Sequence, residues 1–438
     1  MDGAGHIPFH LRGNYAPVPD EVTLSDLKVE GAIPPALNGV YLRNGPNPSR
    51  APSPHWFVGD GMLHGVRLEN GRAAWYRNRH SRTRVFAGEE RNRALMDRTM
   101  TTANTHIVRH AGRFFALEEG AFPFEVTGAL ESIGPHDFAG KLTTAFTAHP
   151  KICPETGEMH AFGYGFMPPF LTYHVIEKDG RLAKSVEIPL RASVMAHDFG
   201  MTRHHVIFMD LPITFDLELA MRGRFPYVWN DTHGARLGVM PRGGDADQIR
   251  WAEIEPCYVF HPANAYEENG AIVMDVCRYP SLWRGKAEDF DSASKLHRWR
   301  IDLASMRVSE EPLDDLVSEF PRIDDRRAGL KNRIVFAAAA RGRSLGEDAD
   351  HFDRVLRFDR QTGERQVKAF GAQAMASEFA FAAGGPGEGE GWLMGFVYDA
   401  GAGTSDLVIL EADTLAETAR VKLPRRVPQG FHGDWFAD

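Results

Sequence analysis

The sequence is poor in cysteine. Its 438 residues include only Cys153, Cys257 and Cys277, and no two of them stand in a C-x-x-C spacing. So few cysteines cannot form a disulfide framework and are typical of a reducing compartment. The start, MDGAGHIPFHLRGNY, has neither the basic nor the apolar region of a signal peptide. We therefore expect a cytoplasmic protein.

Long apolar runs and an excess of positive charge are also absent. The longest apolar run, Ile334–Ala340, is far shorter than the ~20 residues that a membrane-spanning helix needs. Lys and Arg number 50 against 59 Asp and Glu, which gives a formal charge of −9. Because phosphate binding needs a basic face, no nucleic-acid partner is expected. The partner is expected to be a small molecule.

Helical periodicity is scarce, and residues 214–223 are the best candidate for a short helix. Instead, runs rich in β-branched and aromatic residues flank tight-turn dipeptides at 67–75, 108–117, 175–188 and 358–367. Asn-Gly, Ala-Gly, Asp-Gly and Thr-Gly supply the positive φ that hairpin turns need. The glycine-rich stretch 384–391 is expected to be one exposed loop between strands. This pattern predicts an all-β chain and leaves a barrel, a double sandwich and a propeller open.

Four of the nineteen histidines stand in unusual contexts. A lone histidine is more often a surface or hydrogen-bonded core residue than a ligand. These four, however, follow apolar or small residues and precede Pro, Asp or Gly: His149 in TAHPK, His197 in MAHDFG, His261 in VFHPANA and His432 in GFHGDW. Their spacing fits propeller blades of about 60 residues, so a closed propeller can bring all four imidazoles to its axis.

The four histidine motifs resemble the carotenoid cleavage oxygenase family. So do YLRNGPNP (41–48), GDGMLHG (59–65), GWLMGFVYD and the closing VKLPRRVPQGFHGDW. The resemblance runs from about residue 14 to the C-terminus. It implies an all-β fold: a seven-bladed β-propeller with a few short helices and loops that cap the active-site face. The single domain is expected to span 1–438, with 1–13 as a flexible N-terminal segment.

The same resemblance implies one non-haem Fe(II) per chain, held on the propeller axis by His149, His197, His261 and His432. Imidazole suits iron, and ligating histidines usually donate their second N–H to an outer partner. The family uses three glutamates for this purpose, and its motifs place them at Glu119, Glu319 and Glu378. The pairs expected are Glu119–His197, Glu319–His261 and Glu378–His432, with no carboxylate partner for His149.

At two positions the resemblance leaves alternatives open. Glu118 precedes Glu119 and competes with it for the role beside His197. Thr105, in TTANTHIV, aligns with a family position close to the iron, where its methyl group would crowd a coordination site. An ordinary strand threonine is the alternative.

The implied reaction is oxidative cleavage of a C=C bond by O₂ to two carbonyl products. No reductant or organic cofactor is required, and the sequence has no Rossmann or P-loop motif to hold one. The favoured substrate is an apolar carotenoid or apocarotenoid polyene; the alternative is a stilbene or phenylpropenoid. The stilbene-cleaving branch usually places a Lys where this chain has Glu118, and a Tyr in the segment where 87–100 has none.

Aromatic residues supply candidates for an apolar substrate tunnel, although each is also typical of propeller core: Phe114, Phe115, Phe162, Phe166, Phe170 and Trp229. A membrane-facing patch is expected in 210–229, next to 166–171. There, arginines 222 and 224 flank the apolar side chains of Phe215, Leu217, Leu219, Met221 and Phe225. The alternative is that these side chains pack inward.

Three other functions use parts of the same pattern. A zinc hydrolase would also take histidines, but catalytic zinc normally has three protein ligands, and no HExxH motif occurs. A non-catalytic propeller scaffold would leave four histidines and three glutamates without a purpose. A non-oxidative isomerase, which the family also contains, would carry iron without consuming O₂. The oligomeric state stays open.

Overall fold

The computed structural model describes residues 7–50, 52–90, 97–284, 290–342, 345 and 351–438. Over these ranges the chain is nearly all β. It has one short α-helix, α1 (Leu217–Met221), and 3₁₀ turns at Phe9–Leu11, Gly13–Tyr15, Trp56–Val58, Ala246–Gln248 and Asp325–Arg327. No helix in the described ranges is long and apolar enough to cross a bilayer.

The strands are numbered in chain order. The first half contains β1 (Thr23–Leu24), β2 (Val29–Gly31), β3 (Gly39–Pro46), β4 (Gly61–Glu69), β5 (Arg72–His80), β6 (His106–His110), β7 (Arg113–Leu117), β8 (Phe124–Val126), β9 (Ser132–Pro135), β10 (Lys151–Ile152), β11 (Met159–Tyr164), β12 (Leu171–Ile176), β13 (Leu182–Ile188), β14 (Gly200–Met201), β15 (His205–Asp210) and β16 (Ile213–Phe215). The second half contains β17 (Tyr227–Trp229), β18 (Arg236–Pro241), β19 (Arg250–Glu253), β20 (Tyr258–Glu268), β21 (Ala271–Tyr279), β22 (Lys295–Asp302), β23 (Val308–Arg322), β24 (Ile334–Ala340), β25 (Arg354–Asp359), β26 (Arg365–Ala369), β27 (Ala374–Ala376), β28 (Ala380–Ala383), β29 (Gly391–Asp399), β30 (Thr404–Glu411), β31 (Glu417–Lys422) and β32 (Gly433–Ala437).

Antiparallel sheets of these strands form the seven blades of a β-propeller in the described part of the chain. Four blades follow the orders β1-β5-β4-β3-β32, β6-β7-β8-β9, β10-β11-β12-β13 and β14-β15-β18-β19, and another contains β2 and β27–β31. The seven-stranded sheet β20–β26 supplies two blades, because β23 pairs with β22 through its first half and with β24 through its second. The fold class predicted from the sequence is confirmed.

Strands from the two ends of the chain close the ring. Near the C-terminus, β32 pairs with β3 from Gly39↔Ala437 to Arg43↔Gly433. Near the N-terminus, β2 pairs with β31 of the last blade. Leu42 of β3 is fully buried at this closure, and burial of such a side chain contributes about 1.5–3 kcal/mol. Closing the ring in this way also leaves few free strand edges.

The four hairpins predicted from turn dipeptides are confirmed. For example, β4 pairs with β5 across Asn70 and Gly71, whose φ angles are 50° and 74°. The stretch 384–391 connects β28 to β29. The predicted helix at 214–223 is shorter in the structure, because Asp216 accepts the backbone N–H of Leu219 at 2.9 Å and caps the helix.

Part of the segment 1–13, which the sequence predicts to be flexible, is buried in the structure. Residues 1–6 lie outside the described ranges, and for them flexibility stays a prediction. Phe9 and His10 are instead buried. The ring of Phe9 makes edge-to-face contacts with Tyr15 and Trp56, which explains the burial of this apolar side chain.

Candidate metal centre

Each of the seven blades brings a site residue to the centre, and the blade β6–β9 also supplies Glu119, just after β7. The residues lie at, or just before, the innermost strand of their blade: Thr105, His149, His197, His261, Glu319, Glu378 and His432. A rigid strand from every blade therefore positions the site, which restricts how far any one side chain can move.

Two of these strands carry irregularities where the site residue lies. In β20, the register with β21 shifts on both sides of Pro262, which has no N–H to donate to the ladder. In β23, the register with β24 shifts between Glu319 and Arg322, and Phe320 has a φ of 54°. Bulges re-aim side chains next to functional sites. Here the register shifts lie at His261 and directly after Glu319.

The four predicted histidines converge on one point. The Nε2 atoms of His149 and His197 are 3.1 Å apart, and those of His197 and His261 are also 3.1 Å apart. One nitrogen from each of these three and from His432 lies within 4.8 Å of all the others, and all four residues are buried. The cluster has the size of a single metal site.

Three of the imidazoles contact the predicted glutamates through Nδ1. His261 Nδ1 lies 2.6 Å from Glu319 Oε2, and His432 Nδ1 lies 3.1 Å from Glu378 Oε1. His197 Nδ1 contacts Glu119, which also accepts the Tyr164 hydroxyl at 2.5 Å. These contacts leave Nε2 of each ring to face the centre.

The surroundings favour neutral imidazoles at three positions. Burial, reinforced by the neighbouring histidines, lowers the pKa of His149 and His432 well below the usual value. Burial lowers the pKa of His261 to about 3. At His197 burial acts in the same direction, but the Glu119 carboxylate outweighs it and raises the pKa.

This donor set fits a metal cation. Nε2 lone pairs that face each other at 3.1 Å repel unless a cation or a proton lies between them, and a neutral four-nitrogen set suits iron and other divalent transition metals. The outer carboxylates fix the rings with Nε2 directed at the ion. The residues present therefore fit the expected ion.

An apolar cavity of about 770 Å³ opens on one side of the centre. It touches His197, His261, His432 and Thr105, and most of its wall is apolar, from Trp56, Phe57, Met195, Phe215, Leu217, Met221, Phe225, Phe260, Phe290 and Phe431. Its size suits a drug-sized or longer apolar ligand. Polar groups on the wall include Asp97, Arg98, Glu118 and Arg224.

The structure separates the predicted tunnel residues. Phe166 lines the cavity. The side chains of Phe114, Phe115, Phe162 and Trp229 belong to blade cores, and Phe170 is not among the cavity residues. The alternative reading, propeller core, is the correct one for those four, because a strand pattern alone does not distinguish a blade core from a cavity wall.

Thr105 lies beside His432. Its carbonyl accepts the backbone N–H of His432 at 3.1 Å, and its hydroxyl donates to Asn104 at 2.9 Å. Thr105 also lines the apolar cavity. That its methyl group lies close to a bound iron stays a prediction.

A second cavity, of about 430 Å³, meets the centre from another side. It touches His149, His261 and His432, and its wall carries Lys151, Asp198, Arg322, Asp325 and Asp434. This polar cavity and its residues were not predicted. The adjacency of Asp198 to His197 in the chain was the only sequence signal for it.

The chain is similar to known proteins along nearly its whole length. The family model described as "Retinal pigment epithelial membrane protein" matches residues 15–437. A carotenoid cleavage oxygenase of Mycobacterium tuberculosis is 39% identical, with 97% of each chain covered. The crystal structure of Pseudomonas brassicacearum lignostilbene dioxygenase superposes with a TM-score of 0.90 at 28% identity, over 99% of this chain and 100% of that one. Cobalt-substituted Synechocystis apocarotenoid oxygenase gives 0.86 at 26% identity, over 97% and 98%.

Proposed function

Because the chain belongs to the family of retinal pigment epithelial membrane protein and the carotenoid cleavage oxygenases, we propose that it is a non-haem Fe(II) dioxygenase that cleaves a C=C bond of a carotenoid or apocarotenoid. The co-substrate is O₂, and the products are two carbonyl compounds. One observation carries the proposal: four buried histidines share a common centre, and three of them border an apolar cavity of about 770 Å³.

The proposed ligands are His149, His197, His261 and His432, with one Fe(II) per chain. A bound Fe(II) supplies the binding and activation of O₂ that a spin-paired organic substrate cannot provide by itself. The chain's own contribution is orientation. Glu119, Glu319 and Glu378 hold three of the rings through Nδ1, and such outer contacts raise ligand basicity.

The cavity wall contributes binding and positioning. Phe260 and Phe431 line the cavity and have neighbours in the histidine cluster: Phe260 stacks edge-on against His197 at 5.1 Å, and Phe431 directly precedes His432. An extended polyene against these rings would exclude water from the centre. Thr105 lines the same cavity and donates its hydroxyl to Asn104, so its methyl group would limit where O₂ and solvent approach the centre.

Substrate entry is proposed from a membrane surface. Leu217 and Met221 of α1 are 64% and 80% exposed and also line the apolar cavity, and Met167 is 56% exposed. Arg222 and Arg224 lie beside them and are exposed. Apolar side chains flanked by arginines can enter the headgroup region, so this rim offers a lipid-dissolved polyene a route into the cavity. We propose a cytoplasmic enzyme that contacts membranes through this rim.

A stilbene or phenylpropenoid remains the second candidate substrate, since the similarity to lignostilbene dioxygenase favours it. The cavity presents Glu118 at the position where that branch usually has a lysine. A carboxylate there does not attract a phenolate, which supports the polyene.

The test has two parts. Elemental analysis of the purified protein should give about one iron per chain, whereas stoichiometric zinc, or no metal after iron loading, would contradict the proposal. The iron-loaded protein is then incubated in air with an apocarotenal and, separately, a hydroxystilbene, and carbonyl products are identified by mass. Cleavage of the apocarotenal is expected. Cleavage of the stilbene alone would overturn the substrate assignment, and isomerisation without O₂ uptake would overturn the reaction.

A further inference from the structure

His149 differs from the other three histidines of the cluster in its outer contacts. Each of the other rings meets a glutamate through Nδ1. The carboxylate near His149 is Asp198, whose Oδ2 lies 3.9 Å from His149 Nδ1. This separation is too long for a hydrogen bond and short enough for a strong electrostatic contact between buried groups.

Asp198 is a buried carboxylate, with 3% of its surface exposed. Its Oδ1 accepts the Phe199 backbone N–H at 2.7 Å, and Lys151 Nζ lies 2.8 Å from Oδ1 and 2.9 Å from Oδ2. All three residues line the polar cavity, as does His149. The Phe199 N–H therefore holds the carboxylate beside His149, and Lys151 is its ion-pair partner.

We propose that Asp198 is the positioning residue of His149 and that Lys151 limits its effect. The inference rests on the proposed function, since it assumes that His149 binds the metal ion. It gives the fourth histidine a carboxylate of its own, which the resemblance did not supply.

Metal binding would fix the tautomer of the His149 ring. A cation at Nε2 requires that the remaining ring proton sit on Nδ1, and it makes that N–H a stronger donor. The negative charge of Asp198, whose Oδ2 lies 3.9 Å from Nδ1, would stabilise this N–H electrostatically. Lys151 competes for the same carboxylate, and its positive charge opposes a cation at the centre. Asp198 should thus favour metal retention, and Lys151 should oppose it.

This difference in sign separates the proposal from a structural role. Asp198→Asn and Lys151→Gln break the same ion pair, so a role limited to stability predicts the same direction for both. The proposal predicts opposite directions. In the cobalt-loaded protein, release of Co²⁺ to a chelator should be roughly 10–100-fold faster for Asp198→Asn, the usual range for a lost outer contact. Release should be slower than in the parent for Lys151→Gln.

Asp275→Asn is the matched control. Asp275 is 1% exposed and paired with Arg298 Nε at 2.8 Å, but it lines neither cavity. This variant should lose stability and release Co²⁺ at the parent rate. Release that changes in the same direction for Asp198→Asn and Lys151→Gln, or no further than in Asp275→Asn, would overturn the proposal. If Asp198→Asn does not fold, slower release from Lys151→Gln still decides, and an unchanged or faster rate contradicts it.

Proton NMR of the cobalt-loaded protein tests the contact itself. Exchangeable N–H protons of the ligand rings shift far from the diamagnetic region when the ion is paramagnetic. Asp198→Asn should remove or broaden one such resonance, from His149, through faster exchange with water in the polar cavity. An unchanged set of resonances would overturn the inference. A parent protein that binds no stoichiometric Co²⁺ would instead overturn the proposed metal centre.

Discussion

Oε2 of Glu319 lies 2.6 Å from Nδ1 of His261 and also accepts the backbone N–H of Phe320 at 2.6 Å. The carboxylate is thus fixed by its own strand and in turn fixes a ring at the centre. Burial raises the pKa of Glu319 to about 8. At neutral pH the metal-free pair therefore holds a proton that a metal-bound His261 would expel, because its Nδ1–H needs an ionised acceptor.

Metal affinity should consequently depend on pH. The metal-bound form favours ionised Glu319, and the metal-free form holds it neutral below pH about 8. Affinity should rise by up to about tenfold per pH unit from this group, as pH increases toward 8, and the contribution should vanish above that value. Co²⁺ titrations at a series of pH values measure it.

Glu319→Gln is the control for this dependence. It keeps the size of the side chain and removes the proton, so the slope of log affinity against pH should fall by about one below pH 8. Affinity at pH 8 should also fall by roughly 10–100-fold. A parent and a variant with the same slope would mean that Glu319 does not exchange a proton with the metal.

His261→Ala should abolish iron retention and activity while the β fold persists, since one of four ligands is lost at an otherwise intact strand. His174→Ala is the matched control: His174 is 1% exposed, bonds Thr144 and Ser185, and lies away from both cavities. Iron content, circular dichroism and activity are measured for both. Stoichiometric iron with retained activity in His261→Ala would refute the ligand assignment.

The exposed cavity rim should mediate membrane contact. Leu217→Glu with Met221→Glu should weaken binding to phospholipid vesicles and slow cleavage of a substrate dissolved in them, because charge replaces the apolar side chains that enter the headgroups. In detergent the loss of cleavage should be smaller, because only the part of these two side chains in the cavity wall then matters. Ile133→Glu, at a residue 60% exposed in β9, is the control. Equal vesicle binding by all three proteins would exclude this surface.

Leu42→Ala should destabilise the ring closure. The side chain is fully buried and lies in β3 beside β32. Its truncation leaves a cavity that lowers the free energy of unfolding by about 2–5 kcal/mol. Chemical denaturation measures the loss. Metal content should stay at the parent value, since Leu42 touches neither cavity. A stability unchanged within error would show that this closure does not limit unfolding.

The hairpins were predictable because Asn70-Gly71 and similar dipeptides act locally. The site residues were identified through motifs such as TAHPK and MAHDFG, whose resemblance reaches across blades that local patterns do not connect. By contrast, Phe162 of β11 packs in a core, whereas Phe166, in the loop after β11, lines the cavity. Strand alternation gives a side chain's face, but whether that face meets another blade or open space depends on the closed ring.

The surroundings of Asp198 were also not predictable from the sequence. Its position after His197 is visible in the sequence, yet the residue that it approaches is His149, on the preceding blade. The polar cavity that joins them with Lys151 is formed by several blades. Only the assembled propeller brings these groups together.

Isotope labelling tests whether the protein cleaves its substrate with O₂ at the four-histidine centre. The iron-loaded protein is incubated with an apocarotenal under ¹⁸O₂, and the carbonyl products are reduced at once to prevent exchange with water. We expect one ¹⁸O atom in each of the two products and no products with His261→Ala. Products that carry no label from O₂, or equal cleavage by His261→Ala, would contradict an O₂-cleaving enzyme built on this four-histidine centre.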